Sequence, residues 1–303
     1  MSSTDVETVA GAPTAAVSRR SFKPRYPGWL TGPSLVYYLV FFVTPMGILA
    51  AFSVAEQSGF ASVHYTLYWG QFRDVWDPVE LRIFWHTIVM AGGGTIATIL
   101  IGYPIAYWIS RYLTSYKSLA LLLIVVPFWT SFLIRTYSWL IILDDHGYLS
   151  RLFAWVGFTN PSQLNVLFTW KAIGIGLVYN YLPLLILPVY AALERMDWTL
   201  VDAATDLGAR PFTAFRQITL RLTLPGLVTG ALLVFIPMTG EYVIPTLLGG
   251  GKFEFVGNSI ADQFIGAANW PSGAALSIAL MAVLIPFVVI YILFATREEQ
   301  FGA

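Results

Sequence analysis

Long apolar stretches dominate this sequence and limit what it can fold into. Six of them are long enough to cross about 30 Å of hydrocarbon as a helix, which takes about 20 apolar residues. They comprise residues 29–54, 83–109, 119–143, 166–193, 222–248 and 271–295. Only 11% of the residues are charged, too few to cover a water-soluble surface. The sequence therefore predicts an all-α integral membrane protein with six transmembrane helices.

The distribution of basic residues predicts the orientation of these helices. With the amino terminus inside, eleven Lys and Arg residues lie in cytoplasmic segments and five lie in outer segments. Because cytoplasmic loops carry an excess of Lys and Arg, both termini are predicted to be cytoplasmic. Residues 1–28 are then a disordered cytoplasmic tail, residues 29–297 the membrane domain and residues 298–303 a short cytoplasmic tail.

Two further features concern the membrane domain itself. The outer connections, residues 55–78 and 144–165, carry aromatic and acidic residues and are predicted to form short surface helices. The glycine-containing stretches 92–94 and 226–230 predict close packing between helices, because small residues let two backbones approach each other.

Several chemistries are excluded or disfavoured by composition. The chain has no cysteine, so disulfides, thiolate metal sites and cysteine nucleophiles are excluded. Its three histidines are scattered without ligand spacing, which predicts no metal site, and its net charge of zero suggests no nucleic-acid partner. The stretch GGGKF at residues 249–253 lacks the spacing of a phosphate-binding loop and the Ser or Thr after its Lys, so no ATP site is predicted.

Residues 194–221, here called the coupling segment, look soluble although they lie between the fourth and fifth predicted spans, on the cytoplasmic side. Leu200, Ala203/Ala204 and Leu207 recur at one-turn spacing, which predicts that they line one face of a helix.

Capping signals in the coupling segment predict where its helices begin and end. Asp197 can cap the start of the first helix, whereas Asp202 and Asp206 are four residues apart and share a second face. Gly208 lies where a helix end favours a residue that tolerates positive φ, and Pro211 suits the first turn of a second helix. Two short helices joined by a glycine bend are predicted; an ordinary connecting loop is the alternative.

The sequence DAATDLGARPFTAFRQITL, followed by Leu-Pro-Gly at 224–226, resembles the EAA loop of permease subunits in binding-protein-dependent ABC importers. The matching positions are Asp202, Ala203, Ala204, Gly208, Ile218 and Pro225. Asp202 replaces the usual Glu, and Arg221 stands where a proline is usual. The resemblance covers residues 82–297, and the stretches 127–139 and 240–250 are similar to the spermidine/putrescine branch of that family.

This resemblance implies a type I ABC importer transmembrane domain in a prokaryotic plasma (inner) membrane. Its implied partners are an ABC ATPase dimer, a second and different permease subunit, an extracytoplasmic substrate-binding protein and membrane lipid. ATP and Mg²⁺ would be bound by the ATPase, so this chain is expected to hold no cofactor and not to be an enzyme. The residues expected to couple to the ATPase are Asp202, Ala203, Ala204, Asp206, Leu207, Gly208, Arg210 and Pro211.

Two ionisable residues, Arg135 and Glu241, fall inside predicted spans, where each costs about 2.5–3.5 kcal/mol at a helix centre and so avoids lipid. They are predicted at similar depth, which leaves two interpretations open. They form an ion pair, or Glu241 lines the pathway and meets a cationic substrate, assisted by aromatic rings. The predicted pathway residues are Glu241, Arg135, Trp129, Tyr137, Tyr179, Asn180 and Tyr242.

The function predicted on these grounds is a permease for a small cationic solute, namely a polyamine such as spermidine or putrescine. One alternative is the same machinery with another small solute, such as an opine or an amino-acid-like compound. An ion-coupled carrier or channel is a further alternative, although the two halves of the chain show no internal repeat of the kind that builds many such pathways.

Overall fold

The computed structural model describes residues 32–60, 62–155 and 165–301, with side chains in the last range up to residue 293. The chain divides into two units, Met1–Met46 and Gly47–Ala303. The described part of the first unit is helical, with α1 (Gly32–Tyr38), a π-helical turn (Leu39–Val43) and the start of α2 (Thr44–Ser53). The predicted tail at residues 1–28 lies outside the described residues.

The described part of the second unit is helical apart from one antiparallel hairpin, β1 (Glu56–Gly59) and β2 (Ser62–His64). Its first helices after α2 are α3 (Gly70–Val75), α4 (Pro78–Tyr112), α5 (Lys117–Val125), α6 (Phe132–Leu143), α7 (Tyr148–Trp155) and α8 (Trp170–Arg195). They are followed by α9 (Thr199–Asp206), α10 (Pro211–Ala214), α11 (Leu220–Thr239), α12 (Val243–Gly249), α13 (Val256–Ala261) and α14 (Trp270–Phe301). A 3₁₀ turn (Val126–Trp129) and two π-helical turns (Phe215–Thr219 and Asp262–Gly266) extend α5, α10 and α13.

Five membrane-spanning helices are found among the described residues, and the predicted number of six is reached when one bent pair of helices is counted as a span. Five helices of the described residues are long and apolar enough to cross a membrane. Their bounds are Gly32–Ser53, Pro78–Tyr112, Trp170–Arg195, Pro211–Thr239 and Trp270–Leu293. The sixth span is a bent pair of helices, Lys117–Trp129 and Phe132–Trp155.

The prediction that residues 119–143 form a single helix is wrong. The two halves meet at an angle of 94°. Pro127 opens the 3₁₀ turn, and the backbone is extended at Thr130 and Ser131, with ψ of 156° and 130°. Because extended residues cannot continue the i to i−4 hydrogen bonds of a helix, the chain turns there and starts again at α6.

The predicted fifth span, residues 222–248, is also interrupted. A helix begins earlier, at Pro211, and runs through α10 and α11 to Thr239; after residues 240–242, α12 starts at Val243. Arg221 therefore lies inside a continuous helix and causes no break where a proline is usual in the resembled loop.

The core of the second unit forms where α8 packs against both α4 and α11. Gly226 and Gly230 face α8 as the sequence predicts, and a Cβ added to Gly226 would lie 2.8 Å from the carbonyl oxygen of Pro188. The hydroxyl groups of Tyr103 and Thr223, 2.9 Å apart, join α4 to α11 by a hydrogen bond. Close approach and one buried polar contact thus fix these three helices together.

Glycines 92–94 are only partly explained by packing within this chain. A Cβ added to Gly94 would lie 3.0 Å from the sulfur of Met238, so this glycine permits a close contact with α11. At Gly92 and Gly93 an added Cβ would meet no described atom within 4 Å. Packing within this chain is therefore found for Gly94, whereas packing of Gly92 and Gly93 against a second subunit stays a prediction.

The two outer connections fold differently from each other. Residues 55–78 form the hairpin and α3, so the prediction of surface helices is wrong for the first part of this connection, where Glu56 pairs with His64. Residues 144–165 contain the short helix α7, which falls within the second half of the bent pair, and residues 156–164 lie outside the described ones. At the other end of the chain, α14 continues to Phe301, past the predicted end of the last span.

Candidate functional site

The coupling segment folds as two helices around a glycine bend. α9 ends at Asp206, and Gly208 has φ of +88°, a conformation that side-chain-bearing residues rarely adopt. Arg210 is the N-cap of α10 and Pro211 occupies its first turn. The predicted helix, bend and helix are therefore present, and the second helix continues into the fifth span.

The start of α9 is fixed by the side chain that the sequence indicates. Oδ1 of Asp197 accepts hydrogen bonds from the Thr199 hydroxyl at 2.8 Å and from the Thr199 backbone N–H at 3.0 Å. These two bonds, the hydroxyl's foremost, lower the pKa of Asp197. The cap therefore forms one residue ahead of the N-cap position, which Trp198 occupies.

Large apolar side chains of the coupling segment point into open space in this chain. Leu207 is 89% exposed, and Phe212 and Leu200 are also exposed, whereas Val201 and Ala204 are half-buried. The predicted helix face formed by Leu200, Ala203/Ala204 and Leu207 is therefore exposed in this chain, except at Ala204. Exposed apolar groups beside a glycine bend form a surface of the kind that partner proteins cover.

Contacts that sequence spacing did not reveal attach α9 to the end of α4. Nη2 of Arg111 donates to Oδ1 of Asp202 at 2.6 Å, and its guanidinium carbon lies 4.8 Å from the ring centroid of Trp198. The ring of Tyr107 lies 5.7 Å from Trp198 and 5.8 Å from Phe215. The acid of the coupling motif therefore turns towards the chain's own α4, and helix periodicity could not indicate a contact across 91 residues.

Arg111 gives a first prediction. Both partners of its ion pair reach solvent, with side-chain exposures of 30% and 57%, so the pair adds only about 0–1 kcal/mol to stability. We expect Arg111→Glu to raise the hydrogen-exchange rate of the α9 amides about threefold without lowering the amount of protein in the membrane. The double variant Arg111→Glu with Asp202→Arg should return this rate to that of the wild type. A double variant that exchanges as fast as the single one would show that the ion pair does not hold α9 against α4.

The predicted pathway residues do not form one cluster in this chain. Arg135, Tyr179 and Asn180 line a cavity of about 160 Å³ beside Pro127. Trp129 is 77% exposed, and Tyr137 and Tyr242 are exposed as well. Glu241 lies in the interruption between α11 and α12. Neither Arg135 nor Glu241 takes part in either of the two ion pairs found among the described residues, so the suggested pair between them is not formed there.

Arg135 instead stabilises the break of the bent span. The residue is 8% exposed; its Nη1 donates to the carbonyl oxygen of Pro127 at 2.8 Å and its Nε to Oδ1 of Asn180 at 2.6 Å. The same carbonyl also accepts hydrogen bonds from the backbone N–H of Thr130 at 3.2 Å and from its hydroxyl at 2.6 Å. The C-terminal end of a helix carries partial negative charge, so a cation is favourable there. The ring of Phe128, 5.4 Å from the guanidinium carbon, adds a cation–π contact.

Glu241, whose charge is opposite to that of Arg135, caps the N-terminal end of a helix, namely α12. It is 7% exposed, and its Oε1 accepts from the backbone N–H of Val243 at 2.9 Å and of Ile244 at 3.4 Å, at the start of α12. Its Oε2 accepts from the Tyr181 hydroxyl at 2.6 Å. An anion at a helix start satisfies unpaired N–H groups and matches the positive end of the helix dipole. Sequence reasoning missed Tyr181, since the break that brings it close was not predicted.

A family of membrane transport components is similar in sequence to this chain. Residues 94–299 match the family of the binding-protein-dependent transport system inner membrane component, and this chain belongs to that family. It is 37% identical to the spermidine/putrescine transport system permease protein PotB of Haemophilus influenzae over 257 residues, which cover 84% of this chain and 89% of that protein. It is 35% identical to PotB of Escherichia coli K12, over 87% of this chain and 93% of that protein.

Solved structures with a similar fold are importer subunits with low sequence identity. A bacterial alginate ABC transporter, in complex with an alginate pentasaccharide-bound periplasmic protein, matches with a TM-score of 0.64 at 16% identity, covering 89% of this chain and 95% of that one. The MetNI methionine ABC transporter in inward-facing conformations matches with a TM-score of 0.54 at 17% identity, over 72% of this chain and 94% of that one. At these identities the likeness concerns the fold alone.

Proposed function

We propose that this chain is a permease subunit of an ATP-driven importer that carries a polyamine across a prokaryotic inner membrane. The observation that carries the proposal is the 37% and 35% identity to two spermidine/putrescine permeases over more than four fifths of the chain. Catalysis of ATP hydrolysis belongs to a separate ATPase dimer, which binds ATP and Mg²⁺. A second, related permease completes the pathway, and an extracytoplasmic binding protein delivers the substrate.

The coupling segment supplies the surface for the ATPase in this proposal. Leu200, Leu207 and Phe212 are exposed apolar side chains on a short two-helix element with a capped start and a fixed bend. A helix held at both ends can transmit a displacement, whereas a loop without hydrogen-bonded structure would absorb it. Pro211 begins a helix that is continuous with the fifth span, so movement of the segment would reach the membrane directly.

Glu241 would attract a cationic substrate electrostatically. Its carboxylate lies within the break of the fifth span, and no cation pairs with it among the described residues. In a low-dielectric surrounding, such a charge acts over several ångströms, so it favours a cation in the pathway even while its oxygens accept hydrogen bonds. Trp129, Tyr137, Tyr179 and Tyr242 are the aromatic residues proposed to meet the substrate's methylene chain and ammonium groups. Arg135 and Asn180, which are hydrogen-bonded to each other, are proposed to support the wall of the pathway without contacting the substrate.

Uptake in reconstituted vesicles tests this function. The chain, its companion permease and its ATPase are placed in proteoliposomes with the binding protein outside and ATP inside, and radiolabelled spermidine is supplied. We expect uptake that requires ATP and the binding protein and that unlabelled putrescine competes away.

Other outcomes of the uptake experiment would replace parts of the proposal. Competition by an opine or an amino acid, with none by polyamines, would keep the importer and change its substrate class. Uptake that persists without the ATPase, driven by an ion gradient, would favour a carrier.

The proposed orientation, with both termini and the coupling segment in the cytoplasm, is tested by labelling. The chain has no cysteine, so one introduced residue gives an unambiguous signal. In membranes stripped of the ATPase, we expect a membrane-impermeant maleimide to label Leu207→Cys only in inside-out vesicles. The matched variant Phe60→Cys, at an 84% exposed hairpin position, should react only from the outside. Labelling of both from one side would contradict the orientation.

A further inference from the structure

Two consecutive residues of α8 each hold one of the two interrupted spans. Asn180 accepts a hydrogen bond from Arg135 of α6, just after the bend of the bent span. Tyr181 donates a hydrogen bond to Glu241, in the interruption before α12. Since Asn180 and Tyr181 are neighbours on one helix, ahead of the two prolines inside it, the two interruptions are attached to the same turn of α8.

Asn180 is itself fixed on α8. It is 2% exposed, and its Nδ2 donates to the carbonyl oxygen of Gly176 at 2.8 Å, which leaves Oδ1 free to accept from Nε of Arg135 at 2.6 Å. Arg135 in turn reaches the Pro127 carbonyl on the far side of the bend. One chain of hydrogen bonds therefore joins both halves of the bent span to α8.

Tyr181 makes the equivalent connection on the other side. Its hydroxyl lies 2.6 Å from Oε2 of Glu241, whose Oε1 accepts from the first N–H groups of α12. Neighbouring helix residues are separated by about 100° of rotation, so Asn180 and Tyr181 can reach towards different partners from the same depth. In addition, α12 packs directly against both α6 and α8.

Breaking either connection would leave a buried charged side chain, Arg135 or Glu241, without one of its hydrogen-bond partners. Non-helical backbone at membrane depth is tolerated only where protein or a water-filled cavity satisfies it, and here Arg135 and Glu241 do so. We therefore expect the hydrogen bonds from Arg135 and Glu241 to α8 to persist while other contacts between helices change during transport.

We propose that Asn180 and Tyr181 are positioning residues that clamp both interrupted spans to α8, so that α6, α8 and α12 move as one body during transport. This inference rests on the proposed importer function. Neither residue needs to contact the substrate, because each acts through a charged side chain that supports a helix end. The clamp predicts that loss of either contact affects the rate of the transport cycle rather than the affinity for substrate.

Kinetics of conservative variants test the clamp in the reconstituted transporter. Tyr181→Phe removes one hydroxyl; we expect it to lower the maximal uptake rate about tenfold, the effect of one charge-assisted hydrogen bond, with KM changed less than about twofold. Asn180→Leu should act in the same way. Asn180→Asp keeps an acceptor for Arg135 and should recover most of the rate.

Combining the variants tests whether the two connections work as one unit. If the clamp is a single body, Asn180→Leu with Tyr181→Phe should be no slower than the slower single variant, because the first loss already frees the body. Multiplying losses would overturn the proposal, as would a raised KM with an unchanged maximal rate. An Asn180→Asp variant as slow as Asn180→Leu would also overturn it.

A distance measurement tests the clamp without any reference to substrate. Cysteines introduced at the exposed positions Ile141 of α6 and Ile175 of α8 can carry spin labels in the complete transporter. We expect the same label distance in the nucleotide-free and the ATP-plus-vanadate-trapped states, and a state-dependent distance once Asn180→Leu is added. A wild-type distance that changes between the states would overturn the clamp. Failure of wild-type polyamine uptake would instead count against the proposed function, whatever the label distance.

Discussion

Replacement of Gly208 by aspartate is expected to leave membrane insertion intact and to reduce substrate-stimulated ATP hydrolysis at least about tenfold. Gly208 has φ of +88°, where a residue with a side chain is strained by about 1–3 kcal/mol. A Cβ there would meet no described atom within 4 Å, so the chain's own packing is not disturbed. The effect should come from a changed bend and from a charge placed on the exposed face next to Leu207.

Three substitutions at Gly208 separate these causes. Asparagine has nearly the volume of aspartate and a similar tolerance of positive φ, but it has no charge, so Gly208→Asn should retain more stimulation than Gly208→Asp. Gly208→Ala carries the strain without a polar group. The measurement is ATPase activity in proteoliposomes with and without substrate-loaded binding protein, normalised to permease content. Normal stimulation in Gly208→Asp would remove the coupling role from this segment.

Glu241→Gln is expected to raise the KM for spermidine about 10–30-fold while the protein still folds. The amide oxygen can still accept from the N–H groups of Val243 and Ile244, and the amide NH₂ can donate to the Tyr181 oxygen, so the helix end stays capped. Only the charge is lost. At about 8 Å and an effective dielectric constant of about 20, one charge pair contributes about 2 kcal/mol, which corresponds to the expected change in KM.

The matched control for Glu241→Gln is Glu241→Ala, which loses both the charge and the cap. We expect it to lower the yield of folded protein as well, because two N–H groups and one hydroxyl lose their acceptor, at about 1–3 kcal/mol each where they are buried. Initial uptake rates over a range of spermidine concentrations decide the outcome. An unchanged KM with a lower maximal rate in Glu241→Gln would assign Glu241 to the clamp alone.

The coupling segment was predicted from sequence because its signals are local. Asp197, Gly208 and Pro211 each act on backbone groups within a few residues, so their meaning does not depend on the rest of the fold. The number of spans was likewise predictable, since apolar length against bilayer thickness is a property of each segment. What these signals did not reveal was the attachment of Asp202 to Arg111, because that contact joins distant parts of the chain.

The roles of the two charged residues inside the predicted spans, in contrast, could not be predicted from the sequence. From sequence alone, Arg135 and Glu241 were two ionisable residues in apolar helices, suited to each other or to a substrate. The structure places each at an interruption of a span, with the sign that matches the exposed end of a half-helix. Neither interruption was predicted, because hydropathy averages over a segment and a 94° bend leaves that average unchanged.

The sequence by itself thus determined that the chain is a membrane protein with several spans and that it carries a helix–bend–helix element between its fourth and fifth predicted spans. Both follow from chemistry that operates over one turn or one bilayer thickness. Only the tertiary structure decided that Asn180 and Tyr181 join the two interrupted spans, since their partners lie 45 and 60 residues away. Hydrogen bonds between distant residues depend on how helices pack, and packing is set by the whole chain at once.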